Sequence, residues 1–276
     1  MRGAAPRALS AHIGYLFTEL ALAQRPAAAK RAGFDAVEHP QPFAVPAGEM
    51  ARILDTEGLH FTQLAAGMGD AARGEKGLAS LPGREADFRA SLDASLDYAE
   101  AIGCPLIHPM AGVPPTDADP MAVGDTYLRN LAYGVERCSG RRVSMLVEAI
   151  SQAAVPGYYM SRLEQAAEAA DLIGGVSILV DTFHARASGT DAAGFIAAHA
   201  ARIGHVHIAD HPGRHEPGTG AFAFAPFLDA LIATNYRGAV GFEYLPVGET
   251  VAGLGWLDDW KSRLQGDVDD CIAITG

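Results

Sequence analysis

Four residues in the second half of the chain have the types and the spacing for metal chemistry. Glu148 closes the run LVE, Asp181 closes ILVD, His207 sits in GHVHIAD and Glu243 sits in VGFEY. Each lies at or near the C-terminal end of a short apolar run. Three carboxylates and an imidazole brought to one place repel one another unless a cation offsets their charge. The donor set suits one divalent ion, Mg²⁺ or Mn²⁺ by preference, with Co²⁺ and Zn²⁺ also compatible.

Further polar residues cluster near these four. His184 follows Asp181 by three positions in VDTFHA and reads as a substrate contact, or as a partner that orients a ligand. The stretch HIADHPGRHEPGTG at 207–220 holds Pro212, Gly213, Pro217 and Gly218, which make a turn-rich loop. Within it, Arg214 can clamp a carboxylate with two parallel hydrogen bonds, and His215 beside it is a further expected substrate contact. At earlier strand ends, Glu38, His39, Gln63 and His108 are candidates to line the same pocket, with His108 among the expected substrate contacts.

These residues need a scaffold that gathers strand ends. Eight short apolar runs recur, at 8–15, 36–38, 60–64, 105–110, 143–148, 177–181, 205–209 and 239–244. Helical stretches alternate with them at 46–57, 84–102, 121–138, 160–173, 192–203 and 224–234. The clearest is READFRASLDASLDYAEAI, with apolar residues at helical spacing and acidic residues on the opposite face. Eight strand–helix units in 276 residues predict an α/β fold, a (β/α)8 TIM barrel spanning 1–276 as one domain. An open doubly wound sheet is the runner-up. It normally carries a glycine-rich phosphate turn after its first strand, where this chain reads LFTEL.

Bulk properties exclude some partners. The formal net charge of -12 opposes nucleic acid, whose phosphates are bound by a surplus of Lys and Arg. It does not oppose an anionic substrate beside a bound cation. No apolar run approaches a membrane span, and Ser10, His12 and Thr18 interrupt any signal-peptide pattern. Three scattered cysteines, Cys104, Cys138 and Cys271, fit free thiols in a reducing compartment, and the cytoplasm is the expected location. The segment LGWLDDW, with Trp256 and Trp260, reads as a final helix capping the barrel or as an interface patch, which leaves a homo-oligomer open.

The motifs LFTE (16–19), AGFDAVE (32–38), ASLPGREADFR (79–89), MAG (110–112), VDTFH (180–184), RIGHVHIADHPGRHEPGTG (202–220) and GFEY (241–244) resemble the hydroxypyruvate isomerase family of xylose-isomerase-like barrels. The likeness runs over nearly the whole chain, and PGRHEPGTG is its most specific part. It implies a TIM barrel with a divalent metal on Glu148, Asp181, His207 and Glu243, and the two glutamates as the proton-transferring pair. Three departures stand out. The family's glutamate-proline-isoleucine-asparagine reads Glu148-Ala149-Ile150-Ser151. His207 replaces the family's common glutamine, as in related ketose 3-epimerases. Ala221 follows GTG where a glutamate is usual.

The implied reaction is an aldose–ketose type isomerisation, hydroxypyruvate to tartronate semialdehyde, through an enediolate that the metal stabilises. Isomerisation of a 2-oxo-tetronate and epimerisation of a ketose at C3 use the same chemistry and are the near alternatives. An endonuclease-IV-like hydrolase shares the barrel but needs a basic DNA face. A degenerate barrel that binds a sugar acid without turnover is the non-enzyme alternative, supported by Ser151 and Ala221.

Overall fold

The computed structural model describes residues 7–265. Cys271 lies outside them. Nine parallel strand segments form one sheet: β1 (Leu9–His12), β2 (Ala36–Glu38), β3 (His60–Phe61), β4 (Gln63–Ala66), β5 (Leu106–Pro109), β6 (Ser144–Glu148), β7 (Val176–Asp181), β8 (Ile203–Ile208) and β9 (Val240–Phe242). The order is β3-β2-β1-β9-β8-β7-β6-β5-β4. Its two ends, β3 and β4, are separated in sequence by Thr62 alone. The pair is therefore one stave in two pieces, the first bonded to β2 and the second to β5. The sheet closes as a barrel of eight staves, as the sequence predicts.

Strands such as VSILVD are nearly continuous apolar runs because a parallel barrel is covered on both faces. Around it lie α1 (Arg25–Ala32), α2 (Ala47–Glu57), α3 (Glu85–Ile102), α4 (Pro120–Cys138), α5 (Leu163–Ile173), α6 (Thr182–Ala187), α7 (Ala192–His199), α8 (Phe224–Ala233) and α9 (Leu257–Gln265). Helix α3 buries Phe88, Leu92, Leu96 and Ala99, one helical stripe, against the sheet. In α9 and the turn before it, Trp260 and Trp256 pack on Phe242 at 5.4 and 4.3 Å. Phe242 alternates with Gly241 along β9, so this segment belongs to the outer helical layer. Among the described residues, no helix is long and apolar enough to cross a membrane.

Several boundaries differ from expectation. Strand β1 ends at His12 rather than Tyr15, because the chain turns there: Tyr15 and Leu16 donate to the His12 carbonyl. The 192–203 stretch ends its α-helix at His199, and strand β8 begins at Ile203. Helix α5 starts at Leu163, not 160. Helices α1 and α6 were not expected. Alanine-rich RPAAAKRA has too weak a pattern to announce a helix, and α6 is only six residues long.

Candidate metal centre

Strand alternation places the donors. On β8, His205 and His207 point to the barrel axis, one pleat apart, and both are buried. Asp181 lies opposite His207 in the β7–β8 register. Glu148 ends β6 and Glu243 follows β9 directly. Donor atoms of Glu148, Asp181, His207 and Glu243 all come within 4.8 Å of one another. The four residues singled out by their strand-end positions thus converge on one point at the C-terminal face.

The fit to a cation rests on how these atoms meet. His207 Nδ1 lies 2.6 Å from Glu243 Oε2, yet neither ring nitrogen makes a hydrogen bond of acceptable angle. Close, misdirected contacts between buried donors are what ligands around a common centre produce. Without an ion the charges settle by holding protons. Burial, Glu243 and Asp181 push the Glu148 carboxyl up to about 8, against His207 and Arg214. Burial opposes charge on His207, but Glu243 and Glu38 hold its pKa well above the usual imidazole range. Glu243 also pays a desolvation cost, yet Arg214, His207 and His12 hold it well below the usual carboxylate range. A divalent ion would displace the protons on Glu148 and His207.

Asp181 has a second task. Its Oδ1 accepts a hydrogen bond from His184 N at 3.0 Å and caps α6. The helix starts at once after β7, which swings the His184 ring back over the strand ends and into the cavity. Ser151 then holds His184 Nδ1, with its hydroxyl at 3.2 Å and its amide at 3.4 Å. The serine that stands in place of the family's asparagine is therefore engaged with the site.

The loop after β8 is tied by Asp210, a buried carboxylate that accepts from the amides of His211, Gly218, Gly220 and Phe222 at 2.8–2.9 Å. Gly220 is required here, because a Cβ would strike the His211 carbonyl and the Asp210 carboxylate. This knot presents Arg214, whose backbone adopts φ 55°, a left-handed conformation costly for any residue but glycine. The Arg214 carbonyl accepts from Leu245 N at 2.7 Å. Its guanidinium lies between the Tyr15 and Phe183 rings at 5.4 and 5.3 Å. Nη2 reaches Glu243 Oε1 at 3.1 Å and Asp181 Oδ2 at 3.5 Å.

The cavity above the centre has a volume of about 230 Å³. Of the expected contacts, Gln63, His108, His184 and Arg214 line it. His108 Nδ1 stands 3.4 Å from Glu148 Oε2, and burial pushes its pKa down to about 3, so it is a neutral hydrogen-bonding group. His215 is directed elsewhere, with Nδ1 2.7 Å from the Leu245 carbonyl. His39 and Glu38 do not line the cavity, and Glu38 lies wholly buried beneath it. Ala221 is exposed and outside the lining. Sequence reading missed His12 and Tyr15, which do line it, along with Met68, Met110, Ile150 and Val155. The alternation of Ser10 with His12 was the available signal for His12.

A parallel eight-staved barrel with carboxylates and an imidazole at four adjacent strand ends defines a class of barrel enzyme. Comparison with known proteins names it: residues 26–260 match the xylose isomerase-like TIM barrel family, and the chain belongs to that family. It is 38% identical over 256 residues to the 2-oxo-tetronate isomerase of Cupriavidus necator, covering 92% of this chain and 98% of that one. It is 32% identical over 254 residues to the hydroxypyruvate isomerase of Escherichia coli, covering 91% and 98%. Among solved structures, a protein from Brucella melitensis titled an AP endonuclease, family 2, superposes with a TM-score of 0.88 at 32% identity, covering 92% and 99%. On these likenesses the chain is an enzyme of the isomerase class.

Proposed function

We propose that this enzyme isomerises a three- or four-carbon hydroxy-oxo acid at a single divalent metal centre. The observation that carries the reading is the pairing of Glu148 and Glu243. Their carboxylate oxygens lie with donor atoms of Asp181 and His207 within 4.8 Å of one another, so both face one point. Two carboxylates facing one point can take a proton from one carbon and return one to its neighbour. Glu148, Asp181, His207 and Glu243 would hold the ion, which supplies Lewis-acid stabilisation of an enediolate when bound.

The protein groups then have distinct roles. One glutamate takes the proton from the hydroxyl-bearing carbon, the other delivers a proton to the former carbonyl carbon, and the hydroxyl proton passes to the former carbonyl oxygen. Among the described residues, Arg214 is the one Lys or Arg side chain lining the cavity, and it is the natural partner for the substrate carboxylate. His108 and His184, neutral through burial, offer hydrogen bonds to the remaining oxygens. Met68, Met110, Ile150, Ala154 and Val155 form an apolar part of the wall. A cavity of about 230 Å³ suits a short acid. It is smaller than the roughly 300–1,000 Å³ of drug-sized pockets.

Hydroxypyruvate, giving tartronate semialdehyde, and a 2-oxo-tetronate are the two substrates of that class named by the relatives and the reaction. The deciding experiment is a panel of both acids, a ketohexose and abasic-site DNA, with Mn²⁺ present. Turnover of at least one acid, with neither sugar epimerisation nor strand cleavage, is expected. Cleavage of the DNA without acid turnover would overturn the proposal.

A further inference from the structure

We infer that Glu38 is a positioning residue for His207, holding the imidazole so that Nδ1 faces the metal centre. The inference rests on the metal centre proposed above. Glu38 ends β2 on the barrel axis, one layer below the cavity, and is wholly buried. An isolated carboxylate at such a place costs several kcal/mol. Three donors offset this at one oxygen: Oε2 accepts from Thr62 Oγ1 at 2.6 Å and Ser10 Oγ at 3.3 Å, and pairs with His205 Nε2 at 2.8 Å. Oε1 makes no hydrogen bond of acceptable angle, but it stands 3.2 Å from His207 Nε2.

The ring of His207 thus sits between two carboxylates, Glu38 on its Nε2 side and Glu243 on its Nδ1 side. A neutral imidazole carries one proton. Placing it on Nε2, toward Glu38, leaves the Nδ1 lone pair for the cation. A carboxylate behind a ligating histidine fixes both tautomer and ring orientation in this way.

The neighbouring strand makes room for the arrangement. Gly241 lies opposite His207 in the β8–β9 register. A Cβ at Gly241 would run into Glu38 Oε1, well inside van der Waals contact. Strand β9 therefore gives up a side chain where Glu38 needs space. Glu38, His205 and His207 also bring donor atoms together, as a second cation site would. Here Glu38 Oε2 and His205 Nε2 are already spent on each other and on two hydroxyls, which favours positioning over a second ion.

The test is Mn²⁺ binding by the full chain after chelator treatment, followed by calorimetry, for wild type, Glu38→Gln and Glu38→Asp. One Mn²⁺ per wild-type chain is expected, with binding about 10- to 100-fold weaker in each variant that folds. Thermal unfolding of the metal-free proteins shows which variants fold. A folded variant with wild-type Mn²⁺ affinity overturns the inference and leaves the metal centre standing. Two ions in wild type and one in Glu38→Gln also overturn it, since Glu38 would then be a ligand. Absence of binding by wild type instead overturns the metal centre, and this inference with it. A second readout needs no variant: in the Mg²⁺-loaded chain, ¹H–¹⁵N spectra should show His207 protonated at Nε2 with a slowly exchanging proton. A proton on Nδ1 would overturn the inference.

Discussion

Asp181 Oδ1 accepts the backbone N–H of His184 at 3.0 Å, so one carboxylate closes a strand, caps a helix and faces the candidate metal centre. The link sets His184 over the site through the backbone rather than through its own ring. It also separates two effects of substitution. Metal-free Asp181→Ala should be less stable than metal-free Asp181→Asn by about 1 kcal/mol, because asparagine still caps. Both should bind Mn²⁺ far more weakly than wild type. Denaturant unfolding without metal and calorimetry with it check the pair. Equal metal-free stabilities would remove the capping role, and wild-type affinity in Asp181→Asn would remove Asp181 from the ligand set.

Asp210 touches no expected ligand but gathers four amides of the loop that presents Arg214. Asp210→Ala should leave Mn²⁺ affinity within about 3-fold of wild type, since each lost hydrogen bond is a local term. The same change should lower kcat/KM by at least about 100-fold, near 2.7 kcal/mol of transition-state stabilisation. Calorimetry and initial rates on one preparation separate the two. Loss of metal binding together with activity would show that the loop holds the centre as well as the substrate.

Proton linkage gives a prediction for the metal-free chain. Glu148, raised to about 8, keeps its proton when folded but not when unfolded, so its folded-state penalty grows as pH rises from about 4.5 to 8. His207, raised above 6.5, contributes stability that is full below 6.5 and is lost as pH climbs through its folded pKa. Buried neutral histidines such as His108 act oppositely, but only below about 6.5. Metal-free stability should therefore fall as pH rises from about 6.5 to 8, while Mn²⁺ affinity rises over the same range. Thermal melts and calorimetry in buffers of different ionisation enthalpy check this. A flat affinity, with no proton release, would contradict it.

The barrel and its four convergent residues were legible because a carboxylate or imidazole closing an apolar run has few places to go except a strand end. Arg214 was legible because prolines and glycines announce a turn-rich loop. The sequence could not show that His215, one residue on, pairs with the Leu245 carbonyl instead, because adjacent loop residues diverge with backbone torsion. Tyr15 was hidden by the early end of β1, where a turn at His12 carries it back over the cavity. Glu38 read as a pocket residue from its strand-end position. Its depth depends on Thr62, Ser10 and His205, from three other staves, and no spacing along one strand reveals that. His184 reached the site through α6, a helix too short to leave a periodic pattern.

Isomerisation measured while Mn²⁺ is titrated into the chelator-treated enzyme tests the two-glutamate metal centre most directly, run in parallel on wild type, Glu148→Gln and Glu243→Gln. The expected result is negligible wild-type turnover without metal, full turnover at one Mn²⁺ per chain, and none in either folded variant. Undiminished turnover by metal-free wild type, or substantial turnover in both variants, would contradict it.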